Sequence, residues 1–183
     1  MTDKGDSKEL SYYLRHDPAK IGVTLDKQGW TDMNELIKKR NTKSTSTPWT
    51  RETLELIAAE DAKGRYSIDG DKIRANQGHS LSTVKIDFKQ AIPPVVLYHG
   101  TPQPAVGAIW KSGLLPMNRH HVHMTDNIVT AIQVGERRRG KTVIFQIDSK
   151  QMFADGIKFY LSDNGVWLTD VVAPKYLMQL HRD

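Results

Sequence analysis

The sequence predicts an α+β fold whose two halves differ in character, and three observations carry that expectation. Residues before about position 80 show three amphipathic helical patterns and then an Asp-Gly turn between two alternating runs. Residues after position 90 are dominated by short strand-like runs, Val95–Tyr98, Thr142–Ile147, Phe159–Leu161 and Val166–Leu168. Between them Lys89-Gln90-Ala91-Ile92-Pro93-Pro94 reads as a linker or junction. The expected division is therefore 1–90 and 91–183.

Each element has a local reason. Asp6 followed by Glu9 reads as a capping box that opens the first helix. Leu10, Tyr13 and Leu14 then share one face, and Pro18 stops the helix because the residue before a proline avoids the helical region. Asp32 and Glu35 repeat the capping pattern ahead of Met33, Leu36 and Ile37. Asn41 to Ser46 is polar and predicts a loop. Thr50 opens a third helix with Leu54, Ile57 and Ala58 facing inward. Arg65–Ile68 and Lys72–Ala75 flank Asp69-Gly70-Asp71 and predict a β-hairpin. Three helices and a hairpin follow the element order of a winged helix.

In the second half, Val95–Tyr98 predicts a short buried strand ending in His99-Gly100-Thr101. Val106, Ile109 and Trp110 mark a helix that Gly113 ends. Asp126 is placed to cap another, running into Arg137-Arg138-Arg139-Gly140. Phe159–Leu161 and Val166–Leu168 flank Ser162-Asp163-Asn164-Gly165, a second hairpin signal.

Composition narrows the function classes. Lys plus Arg number 26 against 21 acids, a net charge of +5, which biases the chain toward anionic partners. There is no cysteine, so disulfides and thiolate zinc sites are excluded. No apolar run approaches the ~20 residues of a membrane span. The polar start, Met1-Thr2-Asp3-Lys4-Gly5-Asp6, lacks a signal-peptide core. A cytoplasmic protein with no membrane partner is expected. Neither GxxxxGK[ST] nor GxGxxG occurs.

Several clusters could carry chemistry. Arg119-His120-His121-Val122-His123 suits a polyanion, a proton-transfer site or a metal. His121 and His123 share one side of a strand, but no HExxH pattern and no cysteine completes a zinc set, so no metal is expected. Arg15-His16 reads either as a cationic helix end favoured by the dipole or as a phosphate contact. Arg65 and Arg74 read as a solvated strand face or as phosphate ligands. Gln77-Gly78-His79-Ser80 is by itself a polar turn. His99-Gly100-Thr101 would be exposed at a sheet's end, with Gly100 letting a ligand approach the backbone. Arg137-Arg138-Arg139 reads as a solvated helix end or as a group near a pyrophosphate.

Taken together, these segments resemble the RNA 2′-phosphotransferase family, also called tRNA 2′-phosphotransferase. The landmarks are Leu14-Arg15-His16, Gly29-Trp30, Arg65-Tyr66, Ile73-Arg74-Ala75-Asn76-Gln77-Gly78-His79-Ser80, Tyr98-His99-Gly100-Thr101, Arg119-His120-His121-Val122-His123 and Asn164-Gly165-Val166-Trp167-Leu168. They stand in family order from the first helix nearly to the end of the chain.

The resemblance implies a winged-helix RNA-binding lobe over 1–90 and a β-rich, ADP-ribosyltransferase-like NAD-binding lobe over 91–183. It implies NAD-dependent removal of an internal RNA 2′-phosphate of the tRNA splice-junction type. The RNA 2′-phosphate would be ADP-ribosylated, then released as ADP-ribose 1″,2″-cyclic phosphate, leaving 2′-OH RNA and nicotinamide. Carried over by position, the catalytic set is Arg15, His16, Arg65 and Arg119. The NAD-binding set is His99, Gly100, Thr101, His123, Thr125 and Val166. Val166 stands where many protein-modifying members of the broader fold carry glutamate; a phosphate nucleophile has less need of a carboxylate, which would repel it. Gly64 before Arg65 and Met124-Thr125 are mild departures from the family pattern. The expected partners are 2′-phosphorylated RNA and NAD, with the protein a monomer. Two other readings share parts of this pattern: an ADP-ribosyltransferase that caps phosphorylated nucleic-acid ends, and a noncatalytic winged-helix nucleic-acid binder.

Overall fold

The computed structural model describes residues 4–136 and 141–180. Arg137-Arg138-Arg139-Gly140, the expected cationic helix end, lies outside the described residues. The chain divides into two compact units, Met1–Asp87 and Phe88–Asp183, and mixes helices with antiparallel sheets.

The first unit contains α1 (Lys4–Arg15), β1 (Thr31–Asp32), α2 (Met33–Lys43), α3 (Arg51–Ala59), β2 (Tyr66–Asp69) and β3 (Lys72–Ala75), with a sheet in the order β1-β3-β2. Its core is a single apolar cluster that includes Leu10, Leu14, Met33, Leu36, Trp49, Leu54, Ile57 and Ile73. The Asp32 carboxylate accepts from the Glu35 N–H and starts α2, and Thr50 with Thr53 forms a complete capping box for α3. Tyr66 pairs with Ala75 and Asp69 with Lys72, so the turn is the two residues Gly70 and Asp71. Arg51 secures it, donating to the Gly70 carbonyl at 2.8 Å and pairing with Asp71.

Two expectations fail here, for one reason. Helix α1 begins at Lys4, so Asp6 is not its cap; Asp6 instead accepts from Trp49 Nε1 at 2.9 Å. Glu9 is likewise drawn away, to Arg40. Arg40 is 1% exposed and stacks over the Trp49 ring at 4.5 Å. Its guanidinium donates to Glu9 Oε2 at 2.9 Å and to the Thr47 carbonyl at 2.7 Å. A buried cation needs such partners, and that tertiary demand overrides local capping. It also carries α2 through Asn41 to Lys43, into the stretch expected to be loop. Asn41 exchanges hydrogen bonds with the Trp49 backbone at 2.7 and 2.8 Å.

The second unit contains β4 (Lys89–Gln90), β5 (Leu97–Pro102), α4 (Val106–Ser112), β6 (Val122–Met124), α5 (Ile128–Gly135), β7 (Thr142–Ile147), α6 (Ser149–Ala154), β8 (Tyr160–Leu161), β9 (Trp167–Thr169) and β10 (Leu177–Leu180). These strands form two antiparallel sheets, β10-β7-β5 and β4-β8-β9-β6. Reciprocal backbone bonds between Tyr98 and Thr125, at 2.7 and 3.1 Å, join β5 to the end of β6. The hairpin around Ser162–Gly165 forms as expected, with β9 starting one residue late.

The differences from expectation are again tertiary. Lys89 and Gln90 are not linker but a strand on β8, and the Ala91 N–H donates to the Phe159 carbonyl at 3.0 Å. The cap of α5 is Asn127, whose side chain accepts from Thr130 N, instead of Asp126. Helix α6 and strand β10 were not expected; both are too short for a periodic signal, although Asp148, the cap of α6, bonds Gln151 in a readable Asp-x-x-Gln pattern. Strand β5 does not stop at Tyr98. His99, Gly100 and Thr101 lie inside it, paired with Phe145, Ile144 and Val143. A Cβ on Gly100 would lie 1.9 Å from the Ala131 carbonyl oxygen, so glycine here admits the backbone of α5.

Two substitutions test these anchors by urea unfolding. Arg40→Ala, which removes the cation paired with Glu9 and opens a void, should destabilise the protein by about 3 kcal/mol. Gly100→Ala should cost about 3 kcal/mol through overpacking against α5. Losses below about 0.5 kcal/mol, the level of a neutral surface change, would contradict either account.

Candidate active site

In the first unit the 76–80 segment folds onto the end of α1. The Ser80 N–H donates to the Arg15 carbonyl at 3.0 Å, and Ser80 Oγ lies 3.0 Å from His16 Nδ1. Gly78 has φ +89, and a Cβ there would come within 3.7 Å of Arg15 Cδ, Nε and Cζ. The Arg15 side chain is thus buried against this turn. His79 is buried under Gly29 (φ +81), whose missing side chain leaves room for the imidazole. The polar turn is therefore a scaffold for Arg15 and His16.

Arg65 immediately precedes β2. Its Nε donates to Asp61 Oδ1 at 2.9 Å and its Nη2 to Ser7 Oγ at 3.0 Å. Its backbone is held too: buried Asn76 donates from N to the Arg65 carbonyl at 2.9 Å and from Nδ2 to the Gly64 carbonyl at 2.8 Å. Burial would raise the Asp61 carboxyl, but hydrogen bonds from the Arg65 side chain and backbone more than offset it and hold it below the usual range. Sequence reading missed Asp61 and Asn76; an acid four residues before the arginine was the available signal. Arg74 is committed elsewhere, stacked over Trp30 at 4.6 Å and donating to the Gln28 carbonyl at 3.4 Å.

These contacts leave a cavity of about 400 Å³ lined by Ser7, Lys8, Ser11, Tyr12, His16 and Arg65. It brings two of the expected catalytic residues, His16 and Arg65, to one space. Arg15 does not line it.

In the second unit His99 Nδ1 lies 2.9 Å from the His123 carbonyl oxygen. A carbonyl only accepts, so Nδ1 carries the proton and Nε2 is left as an acceptor. Burial, reinforced by the charge of Arg119 and opposed by the bond to His123, lowers the His99 pKa. Arg119 Nη1 is 3.5 Å from His123 Nδ1, so His99, His123 and Arg119 form one group. Thr101, on the same strand as His99, is buried. Strand β6 pairs His123 with Leu168 and Met124 with Trp167, and Thr125 bridges to Tyr98. Val166 is anchored at both its N–H and its carbonyl by Ser162.

The other two histidines of the cluster differ. His121 packs edgewise on Phe88 and tilted on Tyr160, each at 5.8 Å, and burial lowers its pKa. His120 is exposed. Among the described residues no group of three His, Cys, Asp or Glu side chains is arranged to hold a metal ion.

The profile of the RNA 2'-phosphotransferase, Tpt1 / KptA family matches residues 2–171. The chain belongs to this family. Curated relatives agree across nearly the full length. A protein of Trichormus variabilis is 46% identical over 177 residues, 96% of this chain and 95% of its own. One of Agrobacterium fabrum is 47% identical over 175 residues, 93% and 91% of the two chains. One of Fusobacterium nucleatum is 44% identical over 170 residues, 92% and 93%. Each is named a probable RNA 2'-phosphotransferase.

The state of His99 gives a pH prediction. Its folded pKa lies below the ordinary value of 6.5, so above pH 6.5 both folded and unfolded chains carry it neutral and its full contribution is present. As pH falls below 6.5 the unfolded chain takes up the proton first, and stability drops until the folded pKa is passed. His99→Gln should flatten the fall in urea midpoint between pH 7.5 and pH 5.0. An unchanged profile would show that His99 is not held neutral.

Proposed function

We propose that this protein removes an internal, splice-junction-type 2′-phosphate from RNA and consumes NAD in doing so, yielding 2′-OH RNA, nicotinamide and ADP-ribose 1″,2″-cyclic phosphate. The observation that carries this reading is the shared cavity of His16 and Arg65 in a chain of the RNA 2'-phosphotransferase family.

A phosphomonoester is largely dianionic near neutral pH, so it needs positioning and charge neutralisation more than a strong base. Arg65, held at Nε and Nη2 by Asp61 and Ser7, is a preorganised donor of that kind. His16, fixed through Ser80, hydrogen-bonds the phosphate or moves a proton to the departing RNA 2′-oxygen. Arg15, buried against the Gly78 turn next to His16, adds a further positive charge in this unit. On this reading the first unit is a winged-helix RNA-binding lobe and the second an ADP-ribosyltransferase-like lobe.

NAD fits the donor chemistry of the second unit. A neutral His99 with Nε2 as acceptor suits a ribose hydroxyl, which can donate to it. His99, Gly100 and Thr101 would hold the nicotinamide riboside, with His123, Thr125 and Val166 beside them. NAD supplies the ribose carbon that receives the phosphate. Arg119, next to His123, is the cation of this unit that we assign to catalysis. No helix among the described residues is long and apolar enough to cross a membrane, and we assign the protein to the cytoplasm, acting as a monomer without metal.

Incubation with a 2′-phosphorylated oligonucleotide and NAD should give 2′-OH RNA and the cyclic phosphate, identified by mass spectrometry. Stable gain of one ADP-ribosyl unit would instead indicate capping of nucleic-acid ends, and binding without nicotinamide release a noncatalytic role. Arg119→Ala should lower kcat/KM more than 10-fold, given the ~3 kcal/mol typical of a lost charge-stabilising donor. Near-wild-type turnover would remove Arg119 from the catalytic set.

A further inference from the structure

The cavity beside α1 is larger than one phosphate requires. Its volume of about 400 Å³ falls within the roughly 300–1,000 Å³ that accommodates whole small ligands. His16 and Arg65 are only part of its lining; Ser7, Lys8, Ser11 and Tyr12 supply the rest. These four share one surface of α1, because positions 7 and 11, and 8 and 12, are each about one turn apart.

Their chemistry is that of a nucleotide site. Ser7 Oγ accepts from Arg65, which leaves its own O–H to donate. Ser11 adds a second hydroxyl, and Lys8 an exposed ammonium. Two other lysines meet carboxylates, Lys39 with Glu35 and Lys175 with Asp155. No ion pair engages Lys8 among the described residues. Tyr12 is 41% exposed and its position is fixed, its hydroxyl donating to Asp17 Oδ2 at 3.2 Å and Lys20 Nζ lying over one face of the ring at 5.2 Å. An exposed, fixed aromatic ring stacks any base, because every base has a π face.

We propose that this cavity is a flanking-nucleotide subsite: Lys8, Ser7 and Ser11 take the internucleotide phosphate adjoining the 2′-phosphorylated nucleotide, and Tyr12 stacks the neighbouring base. The inference rests on the phosphotransferase reading above. It gives the protein a sequence-tolerant means of selecting a phosphate inside an RNA chain over the same group on a lone nucleotide. The 2′-phosphate is read by His16 and Arg65, and the chain around it by α1.

The test is binding without NAD, read by fluorescence anisotropy. The probes are a 2′-phosphorylated trinucleotide and two analogues in which one or the other flanking internucleotide phosphate is a neutral methylphosphonate. Wild-type protein should prefer the charged trinucleotide to one analogue by roughly tenfold, the worth of one charged hydrogen bond. Lys8→Met should reduce that preference to within about twofold and lower the slope of log affinity against log salt by about 0.7. Tyr12→Leu should weaken the trinucleotide roughly tenfold, and Tyr12→Phe should restore it. Equal wild-type affinity for all three probes, or a preference unchanged in Lys8→Met, overturns the subsite. Turnover with NAD on the same samples tests the parent reading separately. A Lys8-dependent preference without loss of 2′-phosphate would overturn the phosphotransferase reading and leave the subsite. Turnover without that preference would do the reverse.

Discussion

Arg40 is a full positive charge with almost no contact with water, and the first unit is arranged around satisfying it. Its partners come from three places: Glu9 on α1, the Thr47 carbonyl, and the ring of Trp49. Trp49 in turn donates to Asp6 on α1 and is clasped by Asn41 on α2. Burying a guanidinium is costly unless every partner is in place. The network therefore fixes where α1 lies against α2, and α1 carries Ser7, Lys8, Ser11, Tyr12 and Arg15, with His16 directly after it.

The same logic recurs at smaller scale around Arg65. Asp61 holds its side chain and Asn76 its backbone, so the guanidinium is ordered before any ligand arrives. Preorganisation of this kind lets a donor stabilise charge without first losing side-chain entropy. In the second unit the equivalent constraint is the bond from His99 to the His123 carbonyl, which chooses the tautomer. Both arrangements use buried hydrogen bonds to settle the state of a polar group that would be ambiguous in water.

The glycines show how a motif can be right in position and different in cause. Gly100 falls in a segment that reads as a ligand-facing turn, yet its bare Cα faces the Ala131 carbonyl of α5. Gly78 sits in an apparently generic polar turn, and its positive φ lets that turn close over Arg15. A glycine in a sequence announces that something comes close. Only the packing says whether it is a helix, an arginine or a substrate.

Much of this protein is written locally. The Asp32 and Thr50 caps, the Gly70-Asp71 turn, strand β7 and the Ser162–Gly165 hairpin depend on residues close in the chain, and they are legible for that reason. The arginine and histidine clusters and their order were legible as well, and they identified the family. What sequence could not supply were pairings across long separations. Asp6 and Glu9 looked like a capping box until Arg40 and Trp49, distant in the chain, claimed them. Lys89-Gln90 looked like linker because a two-residue exposed strand has no alternation to read. His16 and Arg65 are far apart in sequence and meet at one cavity only because α1 and the start of β2 pack together. Sequence alone determined the family and the order of its arginine and histidine clusters, since those are carried by residue identity at each position. Tertiary structure decided which of them share a space and in what protonation state, because burial and long-range hydrogen bonding exist only once the chain has folded.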